Sequence, residues 1–325
     1  MIFASTPHNI SLAAAAIAAG KIIGLPTETV YGLAADANCP DAIAKVYCAK
    51  NRPSNHPLIV HLAPQAEVTL WAKDIPNYAY QLMKAFWPGA CTVVLPRTQH
   101  VGDFITGHQD TVALRCPSHP VAQQLLTVCH QLNIYGVAAP SANQFGCVSP
   151  TTAHHVYAEF MHLNDELFIL DGGACEIGIE STIIDCTKAK PRILRHGLIT
   201  PTDITRTTGL AVANDITHSS NKPRVSGSLM AHYAPKTPIR LCTTDIVDTL
   251  HTRVVLMGRS PSTVLATHYQ AMPNDAIHYA QQLYATLRHL DTMGYDEIVV
   301  EPIPSSAEWA GVTDRLTRAA ATFLV

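Results

Sequence analysis

Four short polar motifs, each set against an apolar run, hold the residue types that could do chemistry in this chain. The first is Leu25-Pro26-Thr27-Glu28-Thr29-Val30-Tyr31-Gly32-Leu33. Two hydroxyls, a carboxylate and backbone N–H groups together make a cup for a small zwitterion. On their own the same residues read more simply as a helix start, with a capping Thr and a first-turn Glu. The second is Ala49-Lys50-Asn51-Arg52-Pro53-Ser54-Asn55-His56-Pro57, where a Lys and an Arg two apart in a loop can converge on one polyanion. A solvated basic helix end is the alternative. The third, Ala138-Ala139-Pro140-Ser141-Ala142-Asn143-Gln144-Phe145-Gly146 with Ser149-Pro150-Thr151 behind it, combines small side chains and donors so that a ligand can approach the backbone closely. It is equally readable as a plain β-turn. The fourth joins Gly178-Ile179-Glu180-Ser181-Thr182-Ile183-Ile184-Asp185 to Ile193-Leu194-Arg195-His196-Gly197. Arg52, Arg115 and Arg195 all stand within or just after apolar runs, in a chain only 14% charged.

The elements that must position these residues alternate between helical periodicity and short β-branched runs, which predicts a mixed α/β protein. Strands are expected at 22–25, 58–62, 92–95, 111–115, 135–139, 168–170 and 182–185. Helices are expected near 41–49, 64–71, 76–86, 119–130 and 151–161, with a first one capped by Asn9 or Ser11 and closed by Gly20. From 211 to 236 the periodicity fades into a linker. It returns as strand 239–242, helix 244–251, strand 254–257, helix 273–293, strand 297–300 and helix 305–323, a small parallel β/α unit. The expected division is 1–210, a linker at 211–236, and 237–325.

With 325 residues, 47% of them apolar, and a formal charge of −3, the composition is that of a chain with a sizeable core, not of a disordered segment or a basic nucleic-acid coat. Residues 1–210 carry 13 Lys+Arg against 15 Asp+Glu and residues 211–325 carry 9 against 10, so any anion site must be local. Nine scattered Cys, never as C-x-x-C, suggest reduced thiols in the cytoplasm, not a disulfide framework or zinc knuckle. No apolar run is long enough to span a bilayer, and Met1–Pro7 lacks a positive leader. The common phosphate-loop, dinucleotide and zinc-hydrolase signatures are missing.

Seven segments in order resemble one family, the threonylcarbamoyl-AMP synthases of YrdC-like fold in their longer two-domain form. They are Pro26–Leu33, Ala49–Pro53, Pro57–His61, Phe86-Trp87-Pro88-Gly89, Ser141–Asn143, Glu180–Asp185 and Leu194–Gly197, joined later by His232-Tyr233-Ala234-Pro235-Lys236 and Asp314–Ala320. Ala34 stands where that family usually has Gly, and Ser226–His232 departs from its Ser-Pro-Gly. The resemblance implies a YrdC-like twisted mixed sheet with a smaller Rossmann-like β/α unit. The activity it implies makes threonylcarbamoyl-AMP and pyrophosphate from L-threonine, bicarbonate and ATP, the first step of threonylcarbamoyladenosine formation in tRNA. Carried over by position, Lys50, Arg52, Ser141 and Asn143 form the catalytic set. The same four, with His56, Thr111, Ser149, Arg195 and Tyr233, would meet ATP. Thr29, Tyr31, His61, Arg115, Ala139 and Ser181 would surround threonine. Mg²⁺ would arrive on the ATP phosphates without dedicated protein ligands, and the partners implied are a downstream tRNA-modifying transferase and a weak tRNA contact, with no membrane. A non-catalytic RNA-binding protein of the same fold is the competing reading. A carbamoyl-AMP enzyme would need acylphosphatase and zinc-finger segments.

Overall fold

The computed structural model describes residues 1–163, 167–213, 223–227, 229–242, 253–259 and 268–324. Ten strands build the first sheet, namely β1 (Ile2–Ala4), β2 (Ile23–Leu25), β3 (Gly32–Asp36), β4 (Ile59–His61), β5 (Cys91–Pro96), β6 (Thr111–Arg115), β7 (Val137–Ala138), β8 (Phe168–Asp171), β9 (Thr182–Asp185) and β10 (Arg192–Arg195). Their spatial order is β1-β8-β2-β3-β7-β4-β6-β5-β9-β10. β1–β8, β2–β8, β4–β6 and β5–β9 pair parallel and the other neighbours antiparallel, so the sheet is mixed. Around it lie α1 (Pro7–Ala18), α2 (Pro40–Ala49), α3 (Asn77–Phe86), α4 (Asp103–Thr106), α5 (Pro120–Gln131), α6 (Ala153–Phe160) and α7 (Pro201–Thr208).

Local chemistry sets these boundaries. α1 starts earlier than Asn9 or Ser11, because Thr6 Oγ1 accepts from the Asn9 N–H at 3.2 Å and Pro7 follows it, where a missing N–H costs nothing. Gly20 ends the helix at φ +69°, as expected. Ile10, Ala13, Ala14 and Ile17 pack on Ala122, Leu125, Leu126 and Cys129 of α5 and on Ile23, Leu25 and Leu170 of the sheet. Each large side chain so buried contributes about 1.5–3 kcal/mol. The helix expected at 64–71 is reduced to a single 3₁₀ turn at Val68–Leu70. Leu70 is exposed and Trp71 alone turns fully inward, so there is no apolar stripe to sustain more turns.

A second sheet of four parallel strands, β11 (Ile239–Leu241), β12 (Val254–Gly258), β13 (His268–Ala271) and β14 (Glu297–Val300), runs in the order β11-β14-β12-β13. It carries α8 (Ala276–Leu290), capped by Asp275, and α9 (Ala310–Ala321). The expected helix 244–251 and part of the expected linker lie outside the described residues. The core under α8 and α9 also takes in Val30, Val148, Ile179 and Tyr233, so the two sheets share apolar packing.

A fragment ending at Lys236 therefore loses cover over Val30, Val148 and Ile179. At about 1.5–3 kcal/mol per side chain and roughly 2–4 °C per kcal/mol, its melting point should fall at least about 9 °C below that of the full chain. Equal melting points would show that the first sheet does not depend on the second.

Candidate functional site

The floor of the site is one face of the first sheet. Ile59 and His61, two apart on β4, point to the same side, and His61 sits opposite Arg115 at the end of β6. No helix follows Pro26. Thr27 Oγ1 donates to Val30 O at 2.6 Å and accepts from the N–H groups of Thr29 and Val30, both at 3.3 Å. The segment is thus a turn tied by a hydroxyl that runs into β3, and the helix-start reading is corrected. The turn buries Glu28, and Arg115 answers it. The arginine's Nη2 donates to Glu28 Oε1 at 2.5 Å, its Nη1 to Thr29 Oγ1 at 2.9 Å and its Nε to Gly89 O at 3.2 Å. Burial alone would raise the Glu28 pKa, but Arg115 outweighs it and holds the carboxyl below its ordinary value. Burial, reinforced by Arg115, holds His61 neutral with its pKa lowered to about 3.

Lys50 closes α2 and is almost completely buried. Its ammonium donates to the carbonyls of Ser141 and Asn143, both at 2.5 Å, and burial, with Arg52 nearby, lowers its pKa to about 7. Lys50 therefore clamps the Ser141–Asn143 turn, while Asn143 Nδ2 closes the same turn on Gln144 O and Cys147 O. Arg52 is not a solvated helix end. Its Nη2 donates to Pro57 O at 2.9 Å, its guanidinium lies 5.6 Å from the Phe145 ring centre, and it reaches Ser226 Oγ at 3.5 Å. His56 is half-buried, edge-on to Phe145.

On the opposite wall Arg195 donates from Nε and Nη2 to Ser181 O and from Nη1 to Ser226 O, at 3.0–3.1 Å. Ser181 Oγ pairs with Thr92 Oγ1 at 2.7 Å. Glu180 accepts from Ser149 Oγ at 2.6 Å, from Arg315 Nε at 2.7 Å and from Tyr284 Oη at 3.0 Å. Burial by itself would raise the Glu180 pKa, but Arg315 and then Arg195 overcome it and hold the carboxyl at about 2.

Residues 223–227 and 229–236 run as a strap over this floor. Val225 packs on Ile59, Val94, Ala113 and Ile183. Tyr233 is buried with its ring 4.9 Å from the Arg315 guanidinium and stacked on Tyr284. Under the strap Thr29, His61, Arg115, Ala139, Ser141, Arg195 and Tyr233 line one cavity of about 30 Å³. That is room for one water. Lys50, Arg52, Asn143, Ser149 and Ser181 brace its walls without lining it. Thr111 lines an adjoining recess with Arg224 and Val225. Tyr31 is not brought to the cavity, because its hydroxyl donates to Gly173 O at 2.7 Å and accepts from the Gly172 N–H. Glu180, Ser226 and His232, to which sequence reasoning assigned no binding role, also line it, and Glu28 meets Arg115 without lining it. A lone buried carboxylate inside a strand motif was the signal available for the two acids. Among the described residues, Arg52 Nε, His61 Nδ1, Asn143 Oδ1, His232 Nδ1 and Tyr233 Oη are buried without hydrogen-bond partners.

Fold and site define a two-sheet α/β protein whose buried, arginine-walled cup suits a small polar anion. A family model described as "Telomere recombination" matches residues 15–197, and one described as "Threonylcarbamoyl-AMP synthase, C-terminal domain" matches 199–321. The threonylcarbamoyl-AMP synthase of Pyrococcus abyssi is 35% identical over 96% of this chain and 94% of its own length, and that of Bacillus subtilis is 35% identical over 96% and 93%. The crystal structure of P. abyssi Sua5 complexed with L-threonine matches with a TM-score of 0.87 at 32% identity, covering 99% of this chain and 98% of that one. The chain belongs to the threonylcarbamoyl-AMP synthase family.

The two buried histidines of the site give a pH dependence. His61 and His232, both lowered to about 3, stay neutral in the folded state at pH 5, whereas in the unfolded chain they protonate below about 6.5. The unfolded state therefore binds more protons throughout that window. Stability should fall as pH drops from about 6.5 towards 3, by up to about 1.4 kcal/mol per pH unit per histidine. Urea midpoints measured from pH 7 to 5 should fall less steeply for His61→Gln. Identical slopes would mean that His61 takes up its proton in the folded protein.

Proposed function

We propose that this cavity is where an L-threonylcarbamoyladenylate synthase joins L-threonine, bicarbonate and ATP. The observation that carries this reading is the set of buried, unpartnered polar atoms around the cup, since such atoms are rare unless a ligand completes them. Of the five N–H groups of Arg115, three are engaged by Glu28, Thr29 and Gly89, so two remain to hold the threonine carboxylate as a fork. Neutral His61 and the hydroxyl of Thr29 flank that end, with Ala139 as its small wall and Ser181 behind. The amine then condenses with bicarbonate to a carbamate, with loss of water. A carbamate oxygen attacks the α-phosphorus, and pyrophosphate leaves.

No side chain needs to become a nucleophile. Arg52 and Arg195 offset the charge on the phosphates, Ser141 orients them, and Lys50 and Asn143 hold the turn that carries Ser141, so the rate comes from placement and charge. The ATP phosphates would carry Mg²⁺, which would supply further charge neutralisation there. The cup's own carboxylates are already committed to Arg115 and Arg315. ATP cannot share the cavity with the strap as docked, so Ser226 and Tyr233 must move when it binds, Tyr233 then covering the nucleotide. The product passes to a transferase that acts on tRNA. The cysteines are all free thiols, which supports a reducing, cytoplasmic setting, and no described helix is long and apolar enough to cross a membrane.

Pyrophosphate release should require L-threonine, bicarbonate and ATP together, and release independent of threonine would refute the reaction. Arg115→Ala is a poor probe, because it strands Glu28 in the interior at about 3–5 kcal/mol. Arg115→Lys keeps the charge and loses the fork. It should raise the KM for threonine roughly 10-fold or more, as expected from about 1.5–3 kcal/mol for a charge-assisted hydrogen bond, with little change for ATP. Equal shifts for both substrates would remove Arg115 from the threonine end.

A further inference from the structure

Glu180 is the one acid among the cavity-lining residues on the wall that holds Arg195. It sits beside a cation needed by a polyphosphate, and its own negative charge is unfavourable there. Within the first sheet no arginine donates to its carboxylate. The donors it has are Ser149, Tyr284 of α8 and Arg315 of α9. Arg315 is built for the task. It is about 1% exposed, its Nη1 is fixed by Asp314 Oδ2 at 2.6 Å and His196 O at 3.0 Å, and its Nε is left for Glu180 Oε2 at 2.7 Å. Its guanidinium also carries the ring of Tyr233 on the strap. Arg195 spends its donors on Ser181 and Ser226 and none on Glu180.

In a cup closed to water an unpaired carboxylate draws the nearest cation and repels other anions over several ångströms. Without Arg315, Glu180 would turn to Arg195 or stand as bare charge against the nucleotide. We propose that Arg315, delivered from the second sheet, is a positioning residue for the nucleotide end of the site: by holding Glu180 it keeps Arg195 from pairing with that carboxylate, so that the Nη1 now on Ser226 O opens to the polyphosphate when Ser226 moves. The second sheet is then part of the ATP site through one side chain, with Tyr284 as its auxiliary. The inference rests on the reading of this cavity as an ATP site.

The test uses the full chain and compares wild type with Arg315→Gln, Arg315→Lys and the double variant Glu180→Gln/Arg315→Gln. ATP binding is read by calorimetry, and the KM values for ATP and threonine by pyrophosphate release. Arg315→Gln should weaken ATP binding at least 10-fold while the threonine KM moves less than 3-fold, and Arg315→Lys should recover part of the loss. The double variant, in which the stranded charge is gone, should bind ATP within about 3-fold of wild type. A double variant as weak as the single one overturns the proposal, as does an equal change for both substrates. A double variant that no longer melts cooperatively also overturns it, because the arginine would then be needed for packing and not for charge. Wild type that binds ATP but releases no pyrophosphate on addition of threonine and bicarbonate would instead sink the proposed reaction and leave the ATP-binding comparison standing.

Discussion

A charge taken out of water loses several kcal/mol of solvation, and a structure that buries Glu28, Arg115, Glu180, Arg315 and Arg195 around one cup, with Lys50 and Arg52 beside them, must return that energy locally. Glu28 with Arg115 and Glu180 with Arg315 are the two pairs that do so, and Arg195 is satisfied by backbone carbonyls. The fold around them follows from this requirement. The Thr27 turn exists to present Glu28 beside β6. The 141–143 turn offers two carbonyls to Lys50, which has no acid within the cup to pair with. The second sheet packs against Ile179 and Val148, and so brings α8 and α9 to Glu180.

Much of this was legible in the sequence, for physical reasons that can be named. Long amphipathic stretches such as α5 and α8 declare themselves because the period of their apolar residues is repeated several times. Strands like β6 and β9 are continuous apolar runs ending in a charged or polar residue, as buried strands of a covered sheet must be. α7 escaped notice although Thr200, Pro201 and Asp203 spell out a capping box and Gly209 ends it, because it buries only Ile204 and shows no period. β1 is short and pairs with β8 far along the chain, which no local window contains, while β13 is mostly exposed and offers no apolar run.

The site divides in the same way. Arg52, Arg115 and Arg195 stood out because strongly charged residues beside apolar runs are costly and therefore rare. What the sequence did not reveal was their partners. That Arg115 meets Glu28, or Glu180 meets a residue from α9, depends on how segments 87 and 135 residues apart in sequence are brought together. The misplacement of Tyr31 has a related cause. It lies in the same motif as Thr29, but the chain straightens into β3 between them, so its hydroxyl faces the 172–173 turn.

The strap holds Tyr233 at φ +63°, in the left-handed region where a residue with a Cβ loses roughly 1–2 kcal/mol. Burial of its ring between Arg315 and Tyr284 more than offsets this, or the strap would not dock. The docked arrangement is nevertheless shallower by that amount than the ring's contacts alone would make it. A difference of one or two kcal/mol corresponds to a factor of roughly 5–30 in relative population. The backbone angle of this one tyrosine thus weakens the docked strap by that factor while its ring supplies the contacts that hold it down.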